Sequence, residues 1–129
     1  MIEKTRVAIG AAIINEEQEI LLVREGQTWK LPGGKPEFNE TDAECLQREI
    51  EEELSGARLD NLRFFGSVSG TTPKVGDTIE VRLYLAEIAT PIIPSGEIDE
   101  VRWFRNPESS GFNDLTRRII STLQDNKVL

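Results

Sequence analysis

The residues best suited to chemistry lie between positions 33 and 53. Gly33-Gly34 closes an apolar segment, a short loop carries Glu40, and Arg48 then precedes Glu49, Glu51, Glu52 and Glu53. Acidic helices ordinarily set basic partners one turn from their carboxylates. Here the glutamates crowd together, and like charges at i,i+3 and i,i+4 cost roughly a few tenths of a kcal/mol per pair. The cluster therefore opposes its own folding unless a cation joins it, and a hard divalent metal with oxygen ligands meets that need. The glycine pair lets the backbone approach a ligand closely and leaves a carbonyl free to coordinate. Metal-assisted reaction at a phosphate is the chemistry expected.

A helix over 41–54 must position these carboxylates. Ala43, Leu46, Ile50 and Leu54 recur at helical spacing as a core stripe. Thr41 with Glu44 forms a capping box, and Gly56 supplies a left-handed stop. On a wheel of 100° per residue, Glu49, Glu52 and Glu53 share one side of the stripe, with Glu49 and Glu53 closest to it. Carboxylates at the rim of a buried face are partly desolvated, so they can ligate metal or titrate high. Arg48 is within reach of Glu44, Glu52 and Glu40.

Strands are expected at Val7–Ile14, Ile20–Arg24, Trp29–Leu31, Leu62–Ser69, Thr78–Glu87 and Val101–Phe104, and a second amphipathic helix at Asn113–Leu123. Strands flanking one helix, with another helix closing the chain, give an α/β or α+β class in which a mixed sheet is covered on both faces.

The 129 residues suit one domain with a real core, and 38% hydrophobic with 29% charged residues is a soluble globular profile. A net charge of −8 argues against an extended nucleic acid as partner. With no histidine, Ser-His-Asp and Cys-His machinery and histidine-ligated zinc are excluded. One cysteine, Cys45, suits a reducing cytoplasm. Val7–Ile14 is too short to span a bilayer and reads as a buried strand behind Lys4 and Arg6, so no membrane role is expected.

The pattern of Gly34, five residues, Glu40, seven residues, then Arg48-Glu49-Ile50-Glu51-Glu52-Glu53 closely resembles the Nudix box. That box is the signature of hydrolases that cleave nucleoside diphosphates linked to another moiety. Trp29-x-Leu31-Pro32-Gly33-Gly34-Lys35 and Glu97-x-x-Glu100-Val101-x-Trp103-Phe104 are similar to the same family, so the resemblance covers most of the chain. Two positions depart from it. Ser55 stands where the family has glycine, which moves the helix stop to Gly56, and Asn39 replaces a loop glycine at a residue that tolerates positive φ.

The resemblance implies a single domain over 1–129, an α/β/α sandwich with a mixed central sheet, and a MutT-like pyrophosphohydrolase using Mg²⁺, with Mn²⁺ as a substitute. It makes Glu49, Glu52 and Glu53 metal ligands together with the Gly33 carbonyl, and Glu97 a further ligand or the base. Arg48 and Glu40 would orient the glutamates. Arg24 and Lys35 are candidates for binding phosphate, with ordinary surface charge as the competing reading. Asn113 is either a base-reading residue or the N-cap of the last helix. Lys30, Lys74 and Arg82 complete the cations expected near the cleft, and the loop Gly70–Asp77 is expected to govern selectivity. The expected partner is a small nucleotide; a homodimer is compatible with the chain. A nucleotide sensor of the same fold is the alternative, though such proteins tend to lose box glutamates that are all present here. Trp29 and Trp103 read as core, and Cys45 as inert.

Overall fold

A computed structural model describes residues 5–71, 77–89, 92–105, 107 and 112–129. Among these residues, seven strands and two helices follow one another as β1 (Thr5–Ile13), β2 (Ile20–Glu25), β3 (Thr28–Lys30), β4 (Gly33–Gly34), α1 (Asp42–Glu53), β5 (Leu59–Thr71), β6 (Thr78–Ile88), β7 (Glu100–Phe104) and α2 (Asp114–Asp125).

The strands divide between two sheets, ordered β4-β1-β6-β5 and β3-β2-β7. β1 runs parallel to β6, with Ile9 opposite Arg82, while the other pairings are antiparallel. The α+β class with mixed pairing is as expected. The neighbours β1 and β2 separate into different sheets, joined across their turn by the isolated bridge Ile14↔Ile20. Asn15 shapes that turn, its Oδ1 accepting from the backbone N–H groups of Glu17 and Glu19.

Alternation along β1 and β2 explains why both faces are covered. Ile9, Ala11, Ile13, Leu21 and Val23 join Leu46, Ile50 and Leu54 in a core beneath α1. Ala12, Ile20 and Leu22 join Trp29, Leu31, Leu83, Ile119 and Leu123 in a second core beneath α2. One expected stripe residue differs: Ala43 is exposed, and Cys45 is buried in its place. Trp29 is buried, and Trp103 packs against the α1-side core, as expected.

β5 is longer than expected and carries two register shifts against β6. β4 is a strand that sequence periodicity does not reveal, because two glycines have no side-chain pattern. Gly34 pairs with Ile9 and Gly33 with Gly10, which anchors the diglycine to the sheet. Lys74 and most of the Gly70–Asp77 loop lie outside the described residues. No helix among those described is long and apolar enough to cross a membrane.

Candidate active site

Helix α1 begins as its sequence dictates. The Thr41 hydroxyl accepts from the Glu44 N–H at 3.1 Å, and the Glu44 carboxylate accepts from the Thr41 N–H at 2.9 Å. This box occupies Glu44, so Arg48 turns elsewhere. Its guanidinium grips Glu40 bidentately, Nε to Oε2 at 2.7 Å and a terminal nitrogen to Oε1 at 3.0 Å. It also donates to the Lys35 carbonyl at 3.0 Å, Glu49 at 3.0 Å and Glu52 at 3.4 Å. Arg48 thus ties the loop to the acidic helix. The Arg48 hydrogen bonds hold the Glu40 carboxyl down at about 2, and the same contact raises the guanidinium's own pKa. Asn39, with φ of 64°, makes the left-handed bend that presents Glu40.

The glutamates are not equivalent. Glu53 is 8% exposed, and its Oε1 accepts from the Gly33 N–H at 3.0 Å. Burial lifts its pKa to about 7 against that hydrogen bond. The Glu49 side chain is 16% exposed and is raised for the same reason, countered by Arg48. Glu52 is 59% exposed and stands at the rim.

The Glu49 carboxylate lies against Gly34: a Cβ there would sit 2.5 Å from the carboxyl carbon. Gly33, at φ of 142°, would place a Cβ 2.1 Å from the Ile9 carbonyl oxygen. The diglycine therefore forms one wall against which two desolvated carboxylates rest.

A second segment completes the cavity. Ser95 seals the C-terminal end of α1: its Oγ donates to the Glu52 carbonyl at 2.8 Å and accepts from the Ser55 N–H at 2.7 Å, while its own N–H donates to the Glu53 carbonyl at 2.9 Å. Gly96 packs on the same carbonyl, with a Cβ position only 2.8 Å from the Glu52 oxygen. This turn delivers Glu97 to a cavity of about 540 Å³ shared with Glu25, Lys30, Glu49, Glu52 and Glu53. The helix stop is also refined: both Ser55 (φ 37°) and Gly56 (φ 80°) are left-handed, where one residue was expected. Pro94-Ser95-Gly96 carries an ordinary turn signal, and its capping role was not legible in it.

An adjoining, largely aliphatic cavity of about 250 Å³ is lined by Ile79, Leu115 and Ile119, with Lys35 and Asn113 among its polar residues. The Asn113 Oδ1 accepts from the Thr116 N–H at 2.9 Å, so it caps α2 while lining this cavity. Arg24 lines neither cavity; it bonds the Gly26 carbonyl and pairs with Asp99 and Glu100. Arg82 is also turned away from both, held bidentately by Asp42, which accepts as well from the Tyr84 hydroxyl. Cys45 is buried, with its thiol pushed up to about 11, in keeping with an inert residue.

Among the described residues, no three acidic or cysteine side chains close around a metal unaided. Mg²⁺ keeps several waters and takes one or two carboxylates plus substrate phosphates. Glu49 and Glu53, partly desolvated oxygen donors cradled by side-chain-free glycines, fit such an ion.

A model of the NUDIX domain matches residues 4–121. The 8-oxo-dGDP phosphatase NUDT18 of Mus musculus is 42% identical over 48 residues, 33% of this chain and 15% of that protein. The RNA pyrophosphohydrolase of Ruthia magnifica subsp. Calyptogena magnifica is 32% identical over 74 residues, 56% of this chain and 38% of its own length. The matches thus span well under half of these curated relatives. A MutT NUDIX hydrolase from Burkholderia pseudomallei superposes with a TM-score of 0.71 at 29% identity, covering 89% of this chain and 95% of that one. A NUDIX hydrolase from Nitrosomonas europaea shares the fold with a TM-score of 0.78 at 20% identity, covering 96% and 91%.

Proposed function

This chain belongs to the NUDIX domain family, and on that premise we propose that it is a Mg²⁺-dependent hydrolase. It cleaves an internal phosphoanhydride of a free nucleoside di- or triphosphate or a nucleoside diphosphate derivative. The observation that carries the reading is the pair of buried-edge carboxylates, Glu49 and Glu53, resting on the diglycine inside an acidic cavity that adjoins an aliphatic one.

Glu49 and Glu53, with the Gly33 carbonyl and Glu52 or Glu97 from the rim, are the residues that would hold the ion. When bound, Mg²⁺ offsets phosphate charge and activates water for in-line attack at phosphorus. Arg48 fixes the Glu49 carboxylate from behind, so that oxygen is presented without reorganisation. A glutamate of the cavity accepts the water's proton; of the two brought in from outside the helix, Glu25 is paired with Lys30, which leaves Glu97 for this role. The aliphatic cavity takes the base, with Asn113 and Lys35 at its polar edge.

The test is a panel of nucleoside triphosphates, sugar nucleotides, ADP-ribose, dinucleotide polyphosphates and 5′-triphosphate RNA, run with Mg²⁺ in ¹⁸O-water. A nucleoside monophosphate is expected, released with pyrophosphate from a triphosphate, orthophosphate from a diphosphate, or a phosphorylated moiety from a derivative. Orthophosphate from a triphosphate with the nucleoside diphosphate left behind, or preference for RNA over every free nucleotide, overturns the reading. Tight binding without turnover would favour a nucleotide sensor.

A further inference from the structure

Strand β3 alternates across its sheet. Trp29 and Leu31 enter the α2-side core, which sends Lys30 to the opposite face. Its cross-strand partner is Val23, a member of the α1-side core. Lys30 therefore stands over the acidic helix, where its Nζ meets Glu25 Oε1 at 2.8 Å. Those side chains are 36% and 42% exposed, and an ion pair that open adds little to stability. Among the described residues lining the acidic cavity, Lys30 is the only cation, facing Glu25, Glu49, Glu52, Glu53 and Glu97.

Lys30 also lines the aliphatic cavity, and the residues common to the two are Lys30, Gly33 and Gly34. A ligand with an apolar body in one cavity and an anionic chain in the other must cross at these three positions. The glycines offer it no side chain, so the ammonium is the charged group at the crossing. An ammonium has three N–H donors, of which Glu25 takes one.

We propose that Lys30 is a substrate-binding residue that holds the phosphate chain where it passes from the aliphatic to the acidic cavity, with Glu25 as the competing anion that occupies one of its donors in the ligand-free protein. The identity of the ligand rests on the nucleotide reading above, but the contact can be measured without turnover. Inorganic pyrophosphate in the presence of Mg²⁺ is titrated calorimetrically into the wild-type protein and into Lys30→Met, Lys30→Arg and Glu25→Gln. A charge-assisted contact of this kind predicts roughly ten- to hundredfold weaker binding in Lys30→Met. Lys30→Arg should restore most of it. Glu25→Gln should bind more tightly, because a competing anion is gone.

On whichever nucleotide is turned over, Lys30→Met should raise KM far more than it lowers kcat, and binding of the uncharged nucleoside should not change. Four results overturn the proposal: no pyrophosphate binding by the wild type, wild-type affinity in Lys30→Met, an equal loss of nucleoside binding, or weakening by Glu25→Gln. If pyrophosphate binds as described but no substrate is hydrolysed, the activity reading fails while the Lys30 assignment stands.

Discussion

Glu53 carries the sharpest conflict at the residue scale. A carboxylate 8% exposed, with one backbone N–H as its hydrogen-bond partner, is poorly solvated when charged. Glu53→Gln keeps the shape and an acceptor for the Gly33 N–H while removing the charge. In steady-state assays it should lower kcat by orders of magnitude, with the circular dichroism spectrum unchanged; wild-type turnover would reduce the cluster to surface charge.

The same residue sets a pH dependence for the metal-free protein. Its folded pKa is raised from 4.5 to about 7, so the native state holds a proton that the unfolded chain releases across that window. Stability contributed by this group is present below about 4.5 and lost as pH rises through about 7, on the order of 1–3 kcal/mol. Glu40, held down at about 2, acts with the opposite sign and loses its contribution as pH falls below 4.5. Urea melts at pH 5.5 and 8 should therefore converge in Glu53→Gln relative to wild type. An unchanged difference would show that Glu53 titrates normally.

At the scale of elements, the site is a helix pressed against a two-residue strand. The two glycines do different jobs, and substitution separates them. Gly33→Ala forces a Cβ to within 2.1 Å of a backbone carbonyl, at φ of 142°. Backbone cannot yield cheaply, so thermal melting should show a loss of several kcal/mol, about 3 or more. Gly34→Ala meets only the far end of the Glu49 side chain. It should melt within about 1 kcal/mol of wild type yet lose Mn²⁺ affinity by titration calorimetry, because Glu49 must swing off the wall. Equal behaviour of the two variants would refute this division.

For the whole molecule, charge and donor chemistry decide. A net charge of −8 repels polyanions at long range, and no histidine exists to recruit zinc. Activity should require Mg²⁺ or Mn²⁺ and vanish with a chelator, and either ion should raise the melting temperature by relieving repulsion among Glu49, Glu52 and Glu53. Full activity in metal-free buffer would eliminate the metal-assisted mechanism. One helix on each face of the strands holds the cavities in place: the α1 side carries the acidic one and the α2 side most of the aliphatic one.

What the chain determined by itself was whatever depends on near neighbours. The extent of α1, its capping box, the side of the helix that carries Glu49 and Glu53, and the tolerance of Asn39 for positive φ all follow from local geometry. The position of most strands follows from period-two alternation. Tertiary structure decided what depends on distant partners. The parallel pairing of β1 with β6 joins strands far apart in the chain, and docking on β1 makes a strand of two glycines. Packing against those glycines separates the buried Glu53 from the exposed Glu52, one residue apart. Asp42, Asp99 and Glu100 claim Arg82 and Arg24, while β3 turns Lys30 toward the glutamates. A charge can be counted from sequence, but its partner is chosen by how the strands and helices pack, because Coulombic and hydrogen-bond partners are set by distance in space.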